Sequence, residues 1–368
     1  MNRDGTMPTR RYNCHAVALD VHAPDAVLRE IDVYFAAMPP VPRPPNTVQL
    51  TLVHNARETR RRLEQLAHRP HDGHAQGHPQ LVYRLWQRGD GGRLLAPTTG
   101  DPHLITVAAG PRTLHRDVAV RITAASSATL TRTAIRVMRQ LMIRYAEREG
   151  AVSGHAAGVV LGGTALVVAG RPGSGKTTVA LGTAARCGAA LLAGDRVICH
   201  PDLARGTWQV IGLPLAWRIA PGTARSVPTL ARALAAGLNP RRGEALVDGK
   251  YELTGAETAG LFGVPVLPVA ALGCVVVLEH APGQAVSVTE LAPDDRMPAL
   301  AETLFHPDDQ LFTTDWLGVH PPLTGAAVAE RAARLAQTVP VYRATWPEPA
   351  ALAVLPDLLV GLPAGLTQ

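Results

Sequence analysis

A glycine-rich stretch in the middle of the chain has the residue types of a phosphate-binding loop. Residues 170–178 read G-R-P-G-S-G-K-T-T, and the first eight fit the pattern GxxxxGK[ST] completely. Glycines let backbone N–H groups approach phosphate oxygens, and a helix that starts at the loop adds unpaired N–H groups and a positive dipole end. In this pattern Lys176 reaches the β- and γ-phosphates, and the Thr177 hydroxyl ligates Mg²⁺. The loop therefore predicts a nucleoside triphosphate site formed by Gly170, Arg171, Pro172, Gly173, Ser174, Gly175, Lys176, Thr177 and Thr178.

An acidic residue follows this loop after a single predicted helix. The run 189–197, AALLAGDRV, places Asp195 at the end of an apolar strand. An aspartate in such a position binds Mg²⁺, directly or through water, or accepts a proton from a hydroxyl nucleophile. Two alternatives stay open: Asp195 caps a surface turn, or Glu279, after the apolar run CVVVL, is the carboxylate on the metal side.

The elements that must position these residues can be predicted from apolar runs and turn signals. A strand at 164–169 enters the loop, and a helix at 176–187 leaves it and ends at Gly188. A strand at 156–161 and a tight turn at Gly162-Gly163 come before. The remaining predicted elements of this half are strands at 189–193, 208–212, 273–279, 284–289 and 340–345 and a helix at 323–337.

The N-terminal part of the chain reads as a β-rich α+β region. Short β-like runs are separated by polar and Pro-rich stretches, and lie at 47–54, 81–86, 103–108 and 117–123. A helix with apolar residues at helical spacing is predicted from Leu130 to Glu149. The resulting division is an N-terminal region at 1–128, a linking helix at 129–150, an α/β P-loop domain at 151–346 and a tail at 347–368.

Residues 68–80, HRPHDGHAQGHPQ, contain four histidines. A metal site is disfavoured because the spacing is irregular and neither a cysteine nor a second carboxylate accompanies the histidines. The stretch is polar and broken by glycine and proline, which predicts a flexible, solvated loop.

The composition limits partners and compartment. The net charge is +6, but no aromatic residues interleave with the arginines as in single-strand binders, so a nucleic-acid partner is disfavoured. No long apolar run and no signal-like N-terminus occur, which favours a cytoplasmic protein without a membrane partner. The four cysteines form no CxxC pair and are expected to be reduced thiols. Only two of the 36 basic residues are lysines, Lys176 and Lys250, so both are candidates for roles that arginine cannot fill.

Residues of about 150–346 resemble the HPr kinase/phosphorylase family and its kinase-like relatives. His155 stands in S-G-H-A-A-G-V ahead of the predicted hairpin, where the family carries a histidine. GRPGSGKTT stands where the family has a loop ending in GKS, and LLAGDRV resembles the family's L-I-A-D-D-x-V. VPVYRATW resembles the closing strand of the kinase-like relatives.

This resemblance implies a fold and a reaction. The family has an unusual P-loop core related to phosphoenolpyruvate carboxykinases, and it transfers the γ-phosphoryl group of ATP to a serine hydroxyl. Lys176 and Thr177 would then hold phosphates and Mg²⁺, and Asp195 would be the general base and a metal-side carboxylate. His155 would lie near the phosphates and Asp195, although a structural histidine is an equal alternative. Relatives in this family often form oligomers, so a homo-oligomer is compatible with the resemblance.

The chain departs from the family in ways that bear on the substrate. Gly194 replaces the first aspartate of the family's pair, and Thr178 replaces an acidic residue of the bacterial enzymes. No counterpart of the glycine-rich segment that shapes HPr recognition is present. These differences resemble the kinase-like relatives found beside peptide natural-product genes, some of which phosphorylate a precursor peptide.

Two further residues are candidates for the site, and three functions stay open. Lys250 is expected to reach the transferred phosphoryl group or the acceptor, with a solvated loop lysine as an equal alternative. Arg218 is expected to stabilise charge in the transition state. For Arg218 an exposed surface arginine is the stronger alternative, and Asp308 and Asp309 favour a turn. The leading function is a peptide or protein kinase. The alternatives are a small-molecule kinase of a biosynthetic pathway and a non-catalytic nucleotide-binding regulator, the latter suggested by Gly194.

Overall fold

A computed structural model of the protein describes residues 7–39, 46–78, 81–108, 118–236, 249–305 and 315–362. Their contacts divide the chain into two compact units. The first unit combines residues 1–149 with 308–324, and the second combines 150–307 with 325–368. Residues 315–324 therefore belong to the N-terminal unit, although the sequence pattern had placed them in the P-loop domain. The fold is mixed α/β in both units.

The first unit is built on one mixed sheet. Its elements are β1 (Thr9–Cys14), β2 (Val17–His22), α1 (Asp25–Phe35), β3 (Thr47–His54), α2 (Ala56–Ala67), β4 (Gly73–His78), β5 (Leu81–Gln87), β6 (Arg93–Pro97), β7 (His103–Ala108), β8 (Val118–Ala124) and α3 (Ser127–Arg148). The strand order is β1-β2-β3-β8-β7-β6-β5-β4, with β2, β3 and β8 parallel. Val48, Leu50 and Leu52 are buried in β3 while their neighbours are more exposed, which is the two-residue period of a strand. The four strands predicted in this half are confirmed.

Helix α3 confirms the predicted helix and shows what it does in the fold. It starts at Ser127, earlier than predicted, because the Ser126 hydroxyl caps it by accepting a hydrogen bond from the Thr129 N–H at 3.2 Å. It packs on β2, β3, β8 and α1, and most of its side chains are buried. The helix is therefore a core element of the first unit and not only a linker.

The histidine-rich stretch is more ordered than its composition suggested. Residues 73–78 form β4, which pairs with β5 in antiparallel register at the edge of the sheet. The prediction of a loop was wrong there, because backbone pairing makes an edge strand without needing apolar side chains. Among the described residues, no group of three or more His, Cys, Asp or Glu side chains is arranged to hold a metal ion.

The second unit contains the predicted phosphate loop. Its elements are β9 (Val152–Gly154), β10 (Ala156–Leu161), β11 (Thr164–Gly170), α4 (Lys176–Cys187), β12 (Ala190–Ala193), β13 (Val197–Asp202), β14 (Thr207–Gly212), β15 (Trp217–Ile219), α5 (Pro221–Ser226), α6 (Pro228–Ala235), β16 (Tyr251–Leu253), α7 (Gly255–Phe262), β17 (Val269–His280), β18 (Ser287–Glu290), α8 (Pro293–Thr303), α9 (Gly325–Thr338), β19 (Val341–Trp346), a 3₁₀ helix (Pro349–Ala353) and α10 (Leu355–Leu359).

The main sheet of this unit is also mixed. Its strand order is β12-β10-β11-β17-β14-β13-β9, and β19 pairs with β17 and β18. Strands β11, β17 and β19 are parallel, whereas β10 runs antiparallel to both β11 and β12. Helix α4 packs into a core on one face of the sheet, and α8 and α9 pack into a core on the other. The β10–β11 turn is made by Gly162 and Gly163, both with positive φ, as predicted.

The C-terminal segment is part of the second unit's core. The sequence suggested an apolar tail after residue 346. Instead, Leu352, Leu355 and Leu359 are buried in the same core as the apolar face of α4. Arg186 of α4 and Asp357 of α10 also form an ion pair. The segment therefore packs against the helix that carries the phosphate loop.

No helix among the described ranges combines the length and apolarity needed to cross a bilayer.

Candidate active site

Strand pairing brings the sequence-predicted residues together at one side of the second unit's sheet, where β11 and β12 end and β10 begins. Ala156 pairs with Ala169, so His155 at the start of β10 lies beside the end of β11, where the loop begins. Gly158 pairs with Ala193, so the end of β12 reaches the same edge. The Ala156 N–H donates to the Asp195 carbonyl at 3.1 Å and fixes this arrangement. One histidine, the glycine-rich loop and one carboxylate therefore converge.

The glycines of the loop are required by its backbone and its close packing. Gly173 and Gly175 have φ of 82° and 95°, a region that side chains rarely adopt. A Cβ at Gly175 would lie 2.7 Å from Leu352 Cδ1. At Gly170, with φ of 153°, a Cβ would collide with the Ser174 hydroxyl and approach the Leu278 carbonyl to 3.2 Å. Close packing against Leu352, Ser174 and the Leu278 carbonyl thus restricts the loop backbone to this conformation.

Lys176 is the first residue of α4, directly after the left-handed Gly175. Its Nζ donates to the Gly170 carbonyl at 2.7 Å and to the Arg171 carbonyl at 3.2 Å. Burial lowers the pKa of Lys176 to about 8, the Asp195 carboxylate opposes this, and the charges of Arg196 and Lys250 add to it. A lysine ammonium held over the loop carbonyls is placed to meet phosphate oxygens.

The lowered pKa of Lys176 predicts a pH dependence of nucleotide binding. Phosphates favour the ammonium form, and the free protein loses that form as the pH rises through about 8. ATP affinity is therefore expected to fall above about pH 8, by up to about tenfold per pH unit. Calorimetric titrations between pH 7 and 9.5 measure this. The same series on Lys176→Ala is the control and should lack the step; an unchanged affinity up to pH 9.5 in the wild type would contradict the assignment.

His155 and Asp195 form a hydrogen-bonded pair. His155 Nε2 donates to Asp195 Oδ1 at 3.0 Å, and Arg196 Nε lies 3.4 Å from Asp195 Oδ2. Burial raises the pKa of Asp195, but the hydrogen bond and charge of His155 and the charges of Arg196 and Lys176 outweigh it and hold that pKa well below the ordinary value. Both side chains keep partial exposure, 29% for His155 and 38% for Asp195. An ionised carboxylate of fixed orientation therefore faces accessible space.

The position of the missing acidic residue is filled by a tryptophan. A Cβ on Gly194 would lie 3.1 Å from Trp217 Cδ2 and 3.2 Å from Trp217 Cα. Trp217 itself is buried, in the core that includes α4. Gly194 is therefore closely packed against Trp217, and Asp195 is the carboxylate at this strand end.

Gly194→Ala is expected to destabilise the protein by about 1–3 kcal/mol, because the added methyl group forces Trp217 to shift. The φ of Gly194 is not positive, so packing and not backbone strain is the cause. Urea unfolding measures the change. Gly260→Ala in α7 is the matched control: a Cβ there meets nothing within 4 Å, so stability should be unchanged or higher. Equal stability of Gly194→Ala and wild type would refute the packing account.

Lys250 and Arg218 belong to the two-stranded sheet of β15 and β16 and the segment that leads into it. Lys250 directly precedes β16, and its charge is near enough to lower the pKa of Lys176. Arg218 on β15 pairs with Glu252 on β16, with Arg218 Nε 3.4 Å from Glu252 Oε1. The two lysines of the chain therefore lie within electrostatic reach of each other. Arg218 is engaged in an ion pair, which favours its structural alternative.

The hydroxyls of the loop differ in their surroundings. Thr178 Oγ1 is buried and hydrogen-bonded to Thr223 Oγ1 at 2.8 Å, so this hydroxyl is already engaged within the protein. Ser174 Oγ is buried and has no hydrogen-bond partner in the described part of the chain. Thr177 is half-buried. An unpaired buried hydroxyl within the glycine cradle fits a loop that is completed by ligand oxygens.

The residues present fit Mg²⁺ bound together with a nucleotide. Mg²⁺ takes one or two protein oxygens and completes its shell with waters and substrate phosphates. Thr177 and Asp195 supply such a small donor set. The rival carboxylate, Glu279, is ion-paired with Arg343 at 3.1 Å. Its neighbour along β17, Leu278, points into the core that contains α4, and successive side chains of a strand point to opposite faces of the sheet. Glu279 therefore points to the opposite face of the sheet. Asp308 and Asp309 lie outside the described residues.

Four residues of the site surroundings were not anticipated. Arg196 follows Asp195 directly, so its position along the chain was a signal that could have been used. Trp217, Thr223 and Leu352 come from distant segments and carry no local motif. Their roles depend on packing that only the folded chain reveals.

No family model matches this chain, and no curated protein is significantly similar to it.

Proposed function

We propose that the protein is an ATP- and Mg²⁺-dependent kinase with an HPr kinase-like core. It transfers the γ-phosphoryl group to a hydroxyl, most simply a serine of a peptide or protein. The observation that carries the proposal is the convergence of Lys176, His155 and Asp195 at one sheet edge, with His155 Nε2 3.0 Å from Asp195 Oδ1. A phosphate-binding loop next to a positioned carboxylate is the arrangement that phosphoryl transfer needs.

Each residue has a role in the proposed reaction. The loop N–H groups and Lys176 bind and orient the phosphates, and Mg²⁺ supplies neutralisation of phosphate charge when it is bound. Asp195 orients the acceptor hydroxyl and accepts its proton. As the hydroxyl oxygen bonds to the γ-phosphorus, the bond from that phosphorus to the β,γ-bridging oxygen breaks and ADP leaves. His155 holds Asp195 through Oδ1. Lys250, whose charge reaches Lys176, is placed to neutralise the transferred group or the acceptor.

The sheet arrangement supports an unusual P-loop core. Strand β11, which enters the loop, is separated from β12, which leads to Asp195, by the antiparallel strand β10. This differs from a sheet in which both strands are parallel neighbours. The inserted strand brings His155 to the loop. The family assignment also depends on the motifs around these three strands.

The acceptor class follows from the departures at the site. Gly194 and its Trp217 neighbour leave one carboxylate where the bacterial HPr kinases have two. We therefore expect a precursor-like peptide to be the acceptor and HPr to be a poor one. A small-molecule hydroxyl is the alternative that the same residues would serve.

A transfer assay tests the proposal. The full chain is incubated with ATP and Mg²⁺ and one of three acceptors: serine-containing peptides, HPr or small hydroxylated metabolites. Mass spectrometry then detects the gain of one phosphoryl group, with Lys176→Ala as the inactive control. Gain on a peptide supports the proposal. Gain on small metabolites alone would refute the peptide acceptor, and tight ATP binding without transfer to any acceptor would favour a nucleotide-binding regulator.

A further inference from the structure

Two aromatic side chains stack at the ends of strands β17 and β19. His280 and Trp346 are the last residues of these strands and are partners in register. Their ring centroids lie 4.3 Å apart with an interplanar angle of 29°. Trp346 is 6% exposed, whereas His280 is exposed. The pair thus forms a flat platform with one buried ring and one ring open to solvent.

The platform lies on the same face of the sheet as α4. Val276 and Leu278, which precede His280 at intervals of two residues, belong to the core formed with α4. Trp346 belongs to that core as well. Because side chains of a strand alternate between faces, His280 shares this face. It is therefore on the side of the sheet where the phosphate loop starts its helix.

The platform is continuous with the loop. Gly170 pairs with Leu278, so His280 lies two residues beyond the point where β11 enters the loop. Leu352 packs in the same core as Trp346 and against Gly175, where a Cβ would approach it to 2.7 Å. Leu352 and Trp346 thus belong to one core, and that core reaches the glycine that precedes α4.

The proposed catalytic residues lie on the other side of β11, the strand that enters the glycine-rich loop. His155 and Asp195 reach the edge through β10 and β12, whereas His280 and Trp346 reach it through β17 and β19. A triphosphate with its terminal phosphate at Asp195 and its other phosphates in the loop would direct its nucleoside towards β17 and β19. The platform stands where a nucleobase would go.

The hydrogen-bonding surroundings of His280 and Trp346 are compatible with a base stacked on the exposed ring. His280 Nε2 donates to the Pro347 carbonyl at 3.0 Å, which fixes the orientation of the ring. Trp346 Nε1 is buried and has no hydrogen-bond partner within the described ranges. Nucleobases stack on aromatic side chains, histidine included, and a purine offers the larger face.

We propose that His280, backed by Trp346, is the stacking platform for a purine base of the bound nucleotide. This inference rests on the proposed nucleotide-binding function. It places the nucleoside of the ligand at the ends of β17 and β19, and the γ-phosphate on the side of β10 and β12.

Titration of the full-length protein with ATP and with inorganic tripolyphosphate, both with Mg²⁺, tests the platform. His280→Ala is expected to weaken ATP binding by about 10- to 100-fold and to leave tripolyphosphate binding within about twofold. His280→Phe keeps a ring and should bind ATP nearly as the wild type does. The matched control is His54→Ala, since His54 is likewise exposed with Nε2 on a backbone carbonyl, that of Ala125 at 3.2 Å.

The outcomes separate this inference from the proposed function. If the wild type binds tripolyphosphate as tightly as ATP, or if His280→Ala weakens both ligands equally, the platform is wrong and the loop assignment stands. If the wild type binds neither ligand, the proposed function fails and the platform with it.

Discussion

Lys176→Ala is expected to weaken MgATP binding by about 100-fold or more. Lys176 Nζ already bridges the Gly170 and Arg171 carbonyls over the loop, where phosphate oxygens are expected. Each hydrogen bond to a charged group is worth about 1.5–3 kcal/mol, and a loss of about 1.4 kcal/mol is tenfold in affinity. Calorimetry at pH 7, where the ammonium form prevails, measures the loss.

Stability separates this effect from misfolding. Burial disfavours the charge of Lys176 and so offsets its two hydrogen bonds to the loop carbonyls. Its removal is therefore expected to change the free energy of unfolding little. Lys176→Arg is the second variant, and it should also bind poorly because a planar guanidinium does not fit a site for a compact ammonium. Tight ATP binding by Lys176→Ala would contradict the assignment of the loop.

Asp195→Asn is expected to reduce phosphoryl transfer by about 10²- to 10⁴-fold, the range for loss of a positioned general base. The amide keeps the shape of the carboxylate but cannot accept the proton of the acceptor hydroxyl. ATP affinity should change much less than in Lys176→Ala. Single-turnover transfer to the best acceptor, with ATP affinity measured in parallel, gives both values.

Glu279→Gln is the matched control for Asp195→Asn. Glu279 is the alternative carboxylate that the sequence offered, and it is paired with Arg343 on the opposite face of the sheet. Its change to glutamine should leave transfer within about threefold of the wild type, as expected for an exposed ion pair. Loss of transfer in Glu279→Gln together with full activity in Asp195→Asn would overturn the assignment of the base.

The local elements of the site could be predicted because each has a short-range cause. The strand, loop and helix of 164–187 were fixed by an apolar run, positive-φ glycines and the left-handed cap at Gly188. The turn at Gly162-Gly163 was predicted for the same reason. Asp195 and His155 were identified by motif, and antiparallel β10 explains why they meet.

Elements without such signals were missed. The β1–β2 hairpin turns at His15, a residue other than glycine with φ of 61°, so no glycine marked it. Half of the residues of helix α2 are charged and few are apolar, so its pattern was overlooked. The Asn55 side chain caps this helix by accepting from the Glu58 N–H at 2.9 Å. Edge strand β4 depends on backbone pairing with β5.

The packing around the site could not be predicted because it joins distant segments. Trp217 closes the space beside Gly194, and Leu352 packs on Gly175. The stack of His280 on Trp346 needs the parallel register of β17 and β19. Each of these contacts depends on side chains that are far apart in sequence and carry no motif of their own.

The most direct measurement for the central claim is a crystal structure of the protein with Mg²⁺ and a non-hydrolysable ATP analogue. We predict phosphates in the loop of Gly170–Thr178, Lys176 Nζ within hydrogen-bonding distance of the β- or γ-phosphate, and Asp195 facing the γ-phosphate with room for an acceptor hydroxyl between them. A triphosphate bound away from this loop, or a γ-phosphate directed away from Asp195, would contradict the proposed kinase.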